Sequence, residues 1–206
     1  MKKDRLDKQL EFILAIDKEK NIFRQTYVSD ASRMENDAEH AWHMAVMCMI
    51  LSEYAEHPID KLKTMTMLLI HDLVEIYAGD TYAYAGVDAE EIHQREYAAA
   101  EKLYGMLPEE QGIYFMNLWK EFEEGKSPEA QFARTMDRIQ PMMLNAATDG
   151  RAWKEHKVRL SQIMKRNEHT AEGSSVLWDY ALKHFVMPHV ESGEIIDDET
   201  HSTRLK

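Results

Sequence analysis

One cysteine, Cys48, is all that the 206 residues contain. No internal disulfide can form, and cysteine-based zinc or iron–sulfur sites are excluded. Within the run AVMCMIL this thiol is expected to be buried and inert. Long apolar runs are missing too. Nothing approaches the roughly 18 residues of a membrane span, and the best local stretch is interrupted at His71-Asp72. The segment MKKDRLDKQLEFILAIDKEK carries acidic residues throughout and so lacks the apolar centre of a signal peptide. These two absences make a cytoplasmic location, away from membranes, the expectation. Positive charge is also short: 25 Lys and Arg stand against 37 Asp and Glu, a net charge of −12. A broad nucleic-acid surface needs phosphate-neutralising side chains, so polymeric nucleic acid is not expected as a partner. A small anionic substrate stays open, because a metal and a few arginines can reverse the field locally.

Strand alternation does not survive beyond a few residues, and there is no internal repeat or low-complexity linker. What is present is helical periodicity from end to end. With 44% hydrophobic and 30% charged residues, the chain reads as one soluble all-α domain. Leu6, Leu10, Ile13 and Leu14 recur at helical spacing, and a polar loop is expected from Ile22 to Glu35. Asn36 and Glu39 form a capping-box pattern that opens a second helix. Pro58 starts the next helix, which is expected to run to Gly79. After a loop over 80–87, Asp88 and Glu91 suggest another capping box, for a helix ending near Tyr104. Pro108 and Ser127-Pro128 punctuate two more helices, the second over about 128–147. Helices are also expected over about 151–167 and 174–190, followed by a polar, frayed end.

Six histidines, His57, His156, His169, His184, His189 and His201, have polar neighbours or lie near helix ends and are expected at the surface. His71 and Asp72 differ. They interrupt MTMLLI-HD-LVEIY, the middle of an apolar helix. A buried carboxylate is costly unless it is paired or binds a metal. A core His–Asp hydrogen bond is the alternative. Asp137, in FARTMDRIQPMMLNAA, is another acid in an apolar helical stretch, and a salt bridge to Arg134 or Arg138 is its competing explanation. His40 falls early in the second helix, with His43 one turn later, and a satisfied core or edge histidine is its competing explanation. Taken together, two imidazoles and two carboxylates can supply a nitrogen and oxygen donor set to a divalent transition metal. Such a set suits Mn, Co, Fe, Ni or catalytic Zn better than a closed structural zinc site. Adjacent helical residues point about 100° apart, so His71 and Asp72 reach one ion only in a groove between helices.

The order His40, His71-Asp72, Asp137 on an all-helical chain resembles the H…HD…D signature of the HD-domain metal-dependent phosphohydrolases. The wording is closest to the bacterial 5′-deoxynucleotidases and their HD-domain-containing relatives. The matching stretches are RMENDAEHAWHMAVM (33–47), LLIHDLVEIYAGD (68–80) and FARTMDRIQPMMLNA (132–146). The resemblance implies one compact HD-domain helical bundle over 1–192 with a polar tail over 193–206. It implies His40, His71, Asp72 and Asp137 as ligands of a divalent ion, and Glu75 and Asp80 as proton-transfer residues. Arg24 matches an arginine that grips the 5′-phosphate of the substrate. The next residue, a tryptophan in those relatives, is Gln25 here, so a preference for deoxyribose does not carry over. Arg33, His43 and Thr81 are further candidate substrate contacts, with a structural salt bridge as the alternative for Arg33. The loop DTYAYAG departs from its relatives, which carry prolines there. Trp42, Tyr82 and Tyr84 are candidates to stack a base or to pack in the core. His93 and Arg95 resemble a recurrent helix that lines the cleft.

The leading expectation is a 5′-nucleotidase that hydrolyses nucleoside 5′-monophosphates with metal-activated water. A phosphodiesterase acting on a cyclic nucleotide or another small phosphoester would use the same ligands. A nucleotide- or metal-binding regulator would need neither Glu75 nor Asp80, and phosphate release from a nucleotide panel separates it from an enzyme. A helical interaction protein with unrelated core polar pairs predicts no metal at all. A homodimer stays open, as no sequence feature fixes an interface.

Overall fold

The computed structural model describes residues 4–79 and 89–198. Asp80, Thr81, Tyr82, Tyr84 and the Asp88 cap lie outside the described residues. The first helix, α1, spans Arg5–Ile16 and is capped by Asp4 and Asp7, each side chain accepting the other's backbone N–H. A 3₁₀ turn, Asp17–Asn21, leads into strand β1, Phe23–Tyr27, which pairs antiparallel with β2, Met34–Asn36. This small sheet corrects the polar loop expected over these residues. The strands are only five and three residues long, too short for alternation to register against their polar composition.

Helix α2, Asp37–Leu51, opens on the expected capping box: Glu39 N–H donates to Asn36 at 3.0 Å and Asn36 N–H to Glu39 at 3.2 Å. Helix α3, Lys61–Ile70, is capped by Asp60 rather than begun at Pro58. Beyond Ile70 the chain tightens into a 3₁₀ turn over His71–Val74, then resumes as α4, Glu75–Ala78. The buried Tyr104 hydroxyl donates to the Ile70 carbonyl at 2.9 Å, holding the carbonyl at which the helix changes winding. Gly79 ends this segment at φ 78°, a backbone conformation that costs glycine little.

Helices α5, Ala89–Tyr104, and α6, Glu109–Glu124, precede the long α7, Pro128–Ala147, which starts at Ser127-Pro128 as expected. The expected helix over 151–167 is two pieces, α8 (Arg151–Glu155) and α9 (Leu160–Arg166), parted at Lys157, where φ is 53°. The short α10, Thr170–Gly173, was not anticipated. The last helix runs as α11, Ser175–Ala181, a π turn over Leu182–Val186, and α12, Met187–Glu191. Pro188 cannot donate a backbone N–H to the preceding turn, which accounts for a change of winding there. The segment expected to fray instead docks its first residues: Ile195 is buried and Ile196 bridges to Arg159.

α2 packs on α3 and α7, α3 also on α6 and α7, and α5 on α6. Met44, Met67, Leu68, Leu103, Phe132 and Met136 are fully buried between them, so several core contacts are made by pliant thioethers. Cys48 is buried as expected, and burial pushes its thiol up to about 11. α1 forms where the spacing of Leu6, Leu10, Ile13 and Leu14 places a helix, but those residues are not its buried face. It turns Phe12 and Ala15 inward, Phe12 stacking on Phe115, and leaves Leu6, Leu10, Ile13 and Leu14 exposed. Among the described residues no helix is long and apolar enough to cross a membrane. Among the described residues the architecture is all-α apart from the two short strands.

Candidate metal centre

The buried turn His71–Val74 meets α2 and α7, and there four donor residues converge. Atoms of His40, His71 and Asp72 lie within 4.8 Å of one another. Asp137 joins them, its Oδ1 3.2 Å from His40 Nε2 and 3.8 Å from His71 Nε2. Asp72 reaches His71 Nε2 at 3.1 Å through Oδ1 and His40 Nε2 at 4.0 Å through Oδ2. The 3₁₀ winding turns successive side chains further apart than an α-helix does, and the ligand atoms meet in the groove between helices.

The outer face of each imidazole shows which nitrogen is available. His71 Nδ1 donates to the Leu68 carbonyl at 3.0 Å, so Nε2 carries the lone pair. That Nε2 is buried without a hydrogen-bond partner, since the 3.1 Å approach of Asp72 lacks hydrogen-bond direction. For His40 the sequence of bonds starts at Glu35. Its carboxylate accepts from Gln140 Nε2 at 2.7 Å, which orients the amide so that Oε1 faces His40 Nδ1 at 2.9 Å. Nδ1 is therefore the donor, and Nε2 faces the ligand cluster. A metal-binding histidine held through its other ring nitrogen has this arrangement.

Charge balance leads to the same conclusion. Burial disfavours a proton on either imidazole. For His71 the Asp72 and Asp137 carboxylates override burial and hold the pKa well above its ordinary value. His40, where Arg24 adds to the effect of burial, is still raised by Asp137 and Glu35. Burial likewise opposes ionisation of Asp72, yet His71 and Arg24 keep its carboxyl below the usual range; Asp137 is lowered against burial by Arg138 and His40. The cluster thus attracts positive charge, and a proton and a divalent cation compete for the same Nε2 lone pairs. The donor set, the orphaned His71 Nε2 and the two orienting bonds fit a divalent metal.

A cavity of about 420 Å³ opens over this cluster, lined by His71, Asp72 and Asp137 together with Arg24, Gln25 and Glu75. That volume falls within the range of small-molecule sites. Arg24 donates to Asp72 at 2.7 Å and to Asp37 at 3.2 Å. Further along the wall stand Trp119, Glu96 and Glu123. Burial, then Glu123 and Asp72, push Glu96 up to about 7, and burial also raises Glu123.

Two expected substrate contacts lie elsewhere. Arg33 is half exposed and forms a bidentate pair with Glu39 at 2.7 and 2.6 Å, off the cavity wall. The salt-bridge alternative is thus the one the geometry matches. His43 accepts from Gln140 Nε2 at 3.1 Å and stacks on the exposed Trp42, and neither ring lines the cavity. From α5 it is Ile92 and Glu96 that line the wall, whereas His93 stacks on Trp119. Asp80 and Thr81 lie outside the described residues. The sequence reading missed Glu35 and Gln140, whose roles arise only when α2 and α7 are brought together, and also Glu96, Glu123 and Arg166.

The HD domain family model matches residues 16–178. The crystal structure of a predicted metal-dependent phosphohydrolase from Magnetospirillum magnetotacticum MS-1 is similar with a TM-score of 0.87 at 41% identity, covering 93% of this chain and 95% of that one. The human 5′-deoxynucleotidase HDDC2 is 30% identical over 139 residues, 67% of this chain and 66% of that protein. Its Dictyostelium discoideum counterpart is 32% identical over 143 residues, 66% of this chain and 75% of that one. The match thus spans about two thirds of the human relative's length.

Proposed function

Because this chain belongs to the HD domain family, we propose that it is a metal-dependent phosphohydrolase that releases phosphate from nucleoside 5′-monophosphates. The observation that carries this reading is the buried, unpartnered Nε2 of His71 on the wall of a nucleotide-sized cavity that also holds Arg24. Similarity to the 5′-deoxynucleotidases and to the Magnetospirillum phosphohydrolase supports the reaction class.

In this reading His40, His71, Asp72 and Asp137 hold one ion of Mn, Co, Fe, Ni or Zn. When bound, the ion supplies Lewis acidity toward a phosphoryl oxygen and toward water. Arg24 orients the phosphate, its fixed fork of donors matching the oxygens. Glu75, on the same wall, accepts the proton of the attacking water. The leaving 5′-oxygen needs a proton, and Glu96, pushed up to about 7, is a cavity group able to hold one near neutral pH. Asp80, which follows the Gly79 stop, is a second proton-transfer candidate from the sequence. Gln25 is polar and lines the cavity beside Arg24, so the substrate class takes in ribo- and deoxyribonucleotides.

The test is phosphate release by chelator-stripped protein reloaded with each metal in turn, against a panel of nucleoside monophosphates and phosphodiesters. Release from monophosphates with at least one metal is expected. Release from diesters alone would reassign the bond, and tight nucleotide binding without release from any compound would make the protein a regulator.

A further inference from the structure

The cavity over the metal centre is not the whole cleft. A second cavity, of about 750 Å³, shares three residues of its lining with the first: Arg134, Arg138 and Arg166. In a chain of net charge −12, this shared wall concentrates positive charge next to the metal ligands. Lys126 and Lys165 extend it into the second cavity, making five cationic residues against three glutamates. One of those glutamates, Glu172, already accepts from His169 at 2.7 Å and from Gln131 at 3.3 Å.

Arg138 and Arg134 also have structural work, which leaves most of their donors over. Arg138 Nη1 meets Asp137 Oδ2 at 3.2 Å. Arg134 Nη1 donates to the Glu123 carbonyl at 3.1 Å, against Gly125, where φ is 63° and a Cβ would collide with the guanidinium. A guanidinium has five N–H donors, so these contacts leave planar forks suited to oxyanions. Arg134 and Arg138 are one turn apart on α7, and four residues of helix rise about 6 Å. The strip starts in contact with Asp137 and continues one turn along α7 to Arg134. That rise is longer than the step between two phosphates that share a single bridging oxygen.

We propose that Arg134, Arg138 and Arg166 form a second anion subsite, which receives a non-scissile phosphate on the far side of the sugar of a 5′-phosphorylated nucleotide. This inference rests on the phosphohydrolase reading for the position of the scissile group. Two compounds present the required chemistry: a nucleoside 3′,5′-bisphosphate, and a 5′-phosphorylated dinucleotide whose second phosphate is a diester.

The test compares adenosine 5′-monophosphate, adenosine 3′,5′-bisphosphate and 5′-phosphorylated ApA. Binding is measured by calorimetry on chelator-treated protein, and phosphate release on metal-loaded protein. The bisphosphate is expected to bind at least tenfold more tightly than the monophosphate. Arg166→Gln, an exposed position, and Arg134→Gln should each lower that ratio by about tenfold, the scale of a lost charge-assisted hydrogen bond. Preference for the dinucleotide over the bisphosphate would identify the diester as the form received. Equal binding of mono- and bisphosphate, or a ratio unaffected by Arg166→Gln in folded protein, would overturn the subsite. A binding preference without phosphate release from any compound would instead overturn the hydrolase reading and leave the subsite standing.

Discussion

Replacing Gln140 with leucine tests the arrangement that aims His40. The side chain is fully buried and takes part in three bonds: it accepts from His40 Nδ1 at 2.9 Å and donates to Glu35 at 2.7 Å and His43 at 3.1 Å. Leucine has a similar volume, so little cavity forms and the loss is mainly polar. A buried N–H left without an acceptor costs about 1–3 kcal/mol, and a lost bond to a charged group about 1.5–3 kcal/mol. Together these give a destabilisation of about 2.5–6 kcal/mol, with a fall in Tm of roughly 10 °C for a domain of this size. Because the His40 ring loses its orienting bond, metal affinity should also fall by about 10- to 100-fold. Urea denaturation of chelator-treated protein reads the first effect, and titration with Mn²⁺ or Co²⁺ the second. Gln140→Glu provides a sign test: it preserves the acceptor for His40 but sets a carboxylate against Glu35, so it should destabilise as well. The assignment of the donor nitrogen is refuted if Gln140→Leu costs less than about 1 kcal/mol and leaves metal affinity unchanged.

Three further outcomes follow from the same geometry. Glu75→Gln should lower kcat by about 10²- to 10⁴-fold while metal content stays at the wild-type level; a fall of less than tenfold would remove Glu75 from proton transfer. Metal binding at pH 7 should release protons, because the carboxylates raise both His40 and His71 and the ion takes their place. Calorimetry in two buffers of different ionisation enthalpy measures that release, and identical heats in both would contradict it. Glu19 is pushed up to about 7 by burial, then by Asp72 and Asp37. The folded state therefore binds its proton more tightly than the unfolded state, and the stability this provides is present below about pH 4.5 and lost as pH rises toward 7. Glu19→Gln in chelator-treated protein should gain stability relative to wild type across that window, and a difference that does not vary with pH would rule out this linkage.

Helices and their caps were readable in the sequence wherever local chemistry decides them, as at Asn36 and Glu39. His71, Asp72 and Asp137 stand out by polarity in apolar surroundings, a signal that survives without tertiary information, whereas His40 joins them only through the resemblance to the H…HD…D signature. Other features depend on contacts far apart in the chain. The strands Phe23–Tyr27 and Met34–Asn36 exist through pairing rather than propensity. The winding change at His71 goes with a hydroxyl from Tyr104, 34 residues away. Gln140 faces His40 across 100 residues, and Arg33 pairs with Glu39 rather than facing the cavity. α1 shows the limit of periodicity most plainly: Leu6, Leu10, Ile13 and Leu14 correctly mark a helix but not its buried face, which Phe12 and Ala15 supply.

Metal content and phosphate release, measured together on wild type, Asp72→Ala and Asp137→Ala after chelator stripping and reloading, bear most directly on the centre. Wild type is expected to take up one ion per chain and to regain phosphate release from nucleoside 5′-monophosphates. Both variants should remain folded, bind the ion far more weakly and release no phosphate. Stripped wild type that hydrolyses at the full rate, or variants that keep both ion and activity, would contradict the assignment of His40, His71, Asp72 and Asp137 as the metal centre.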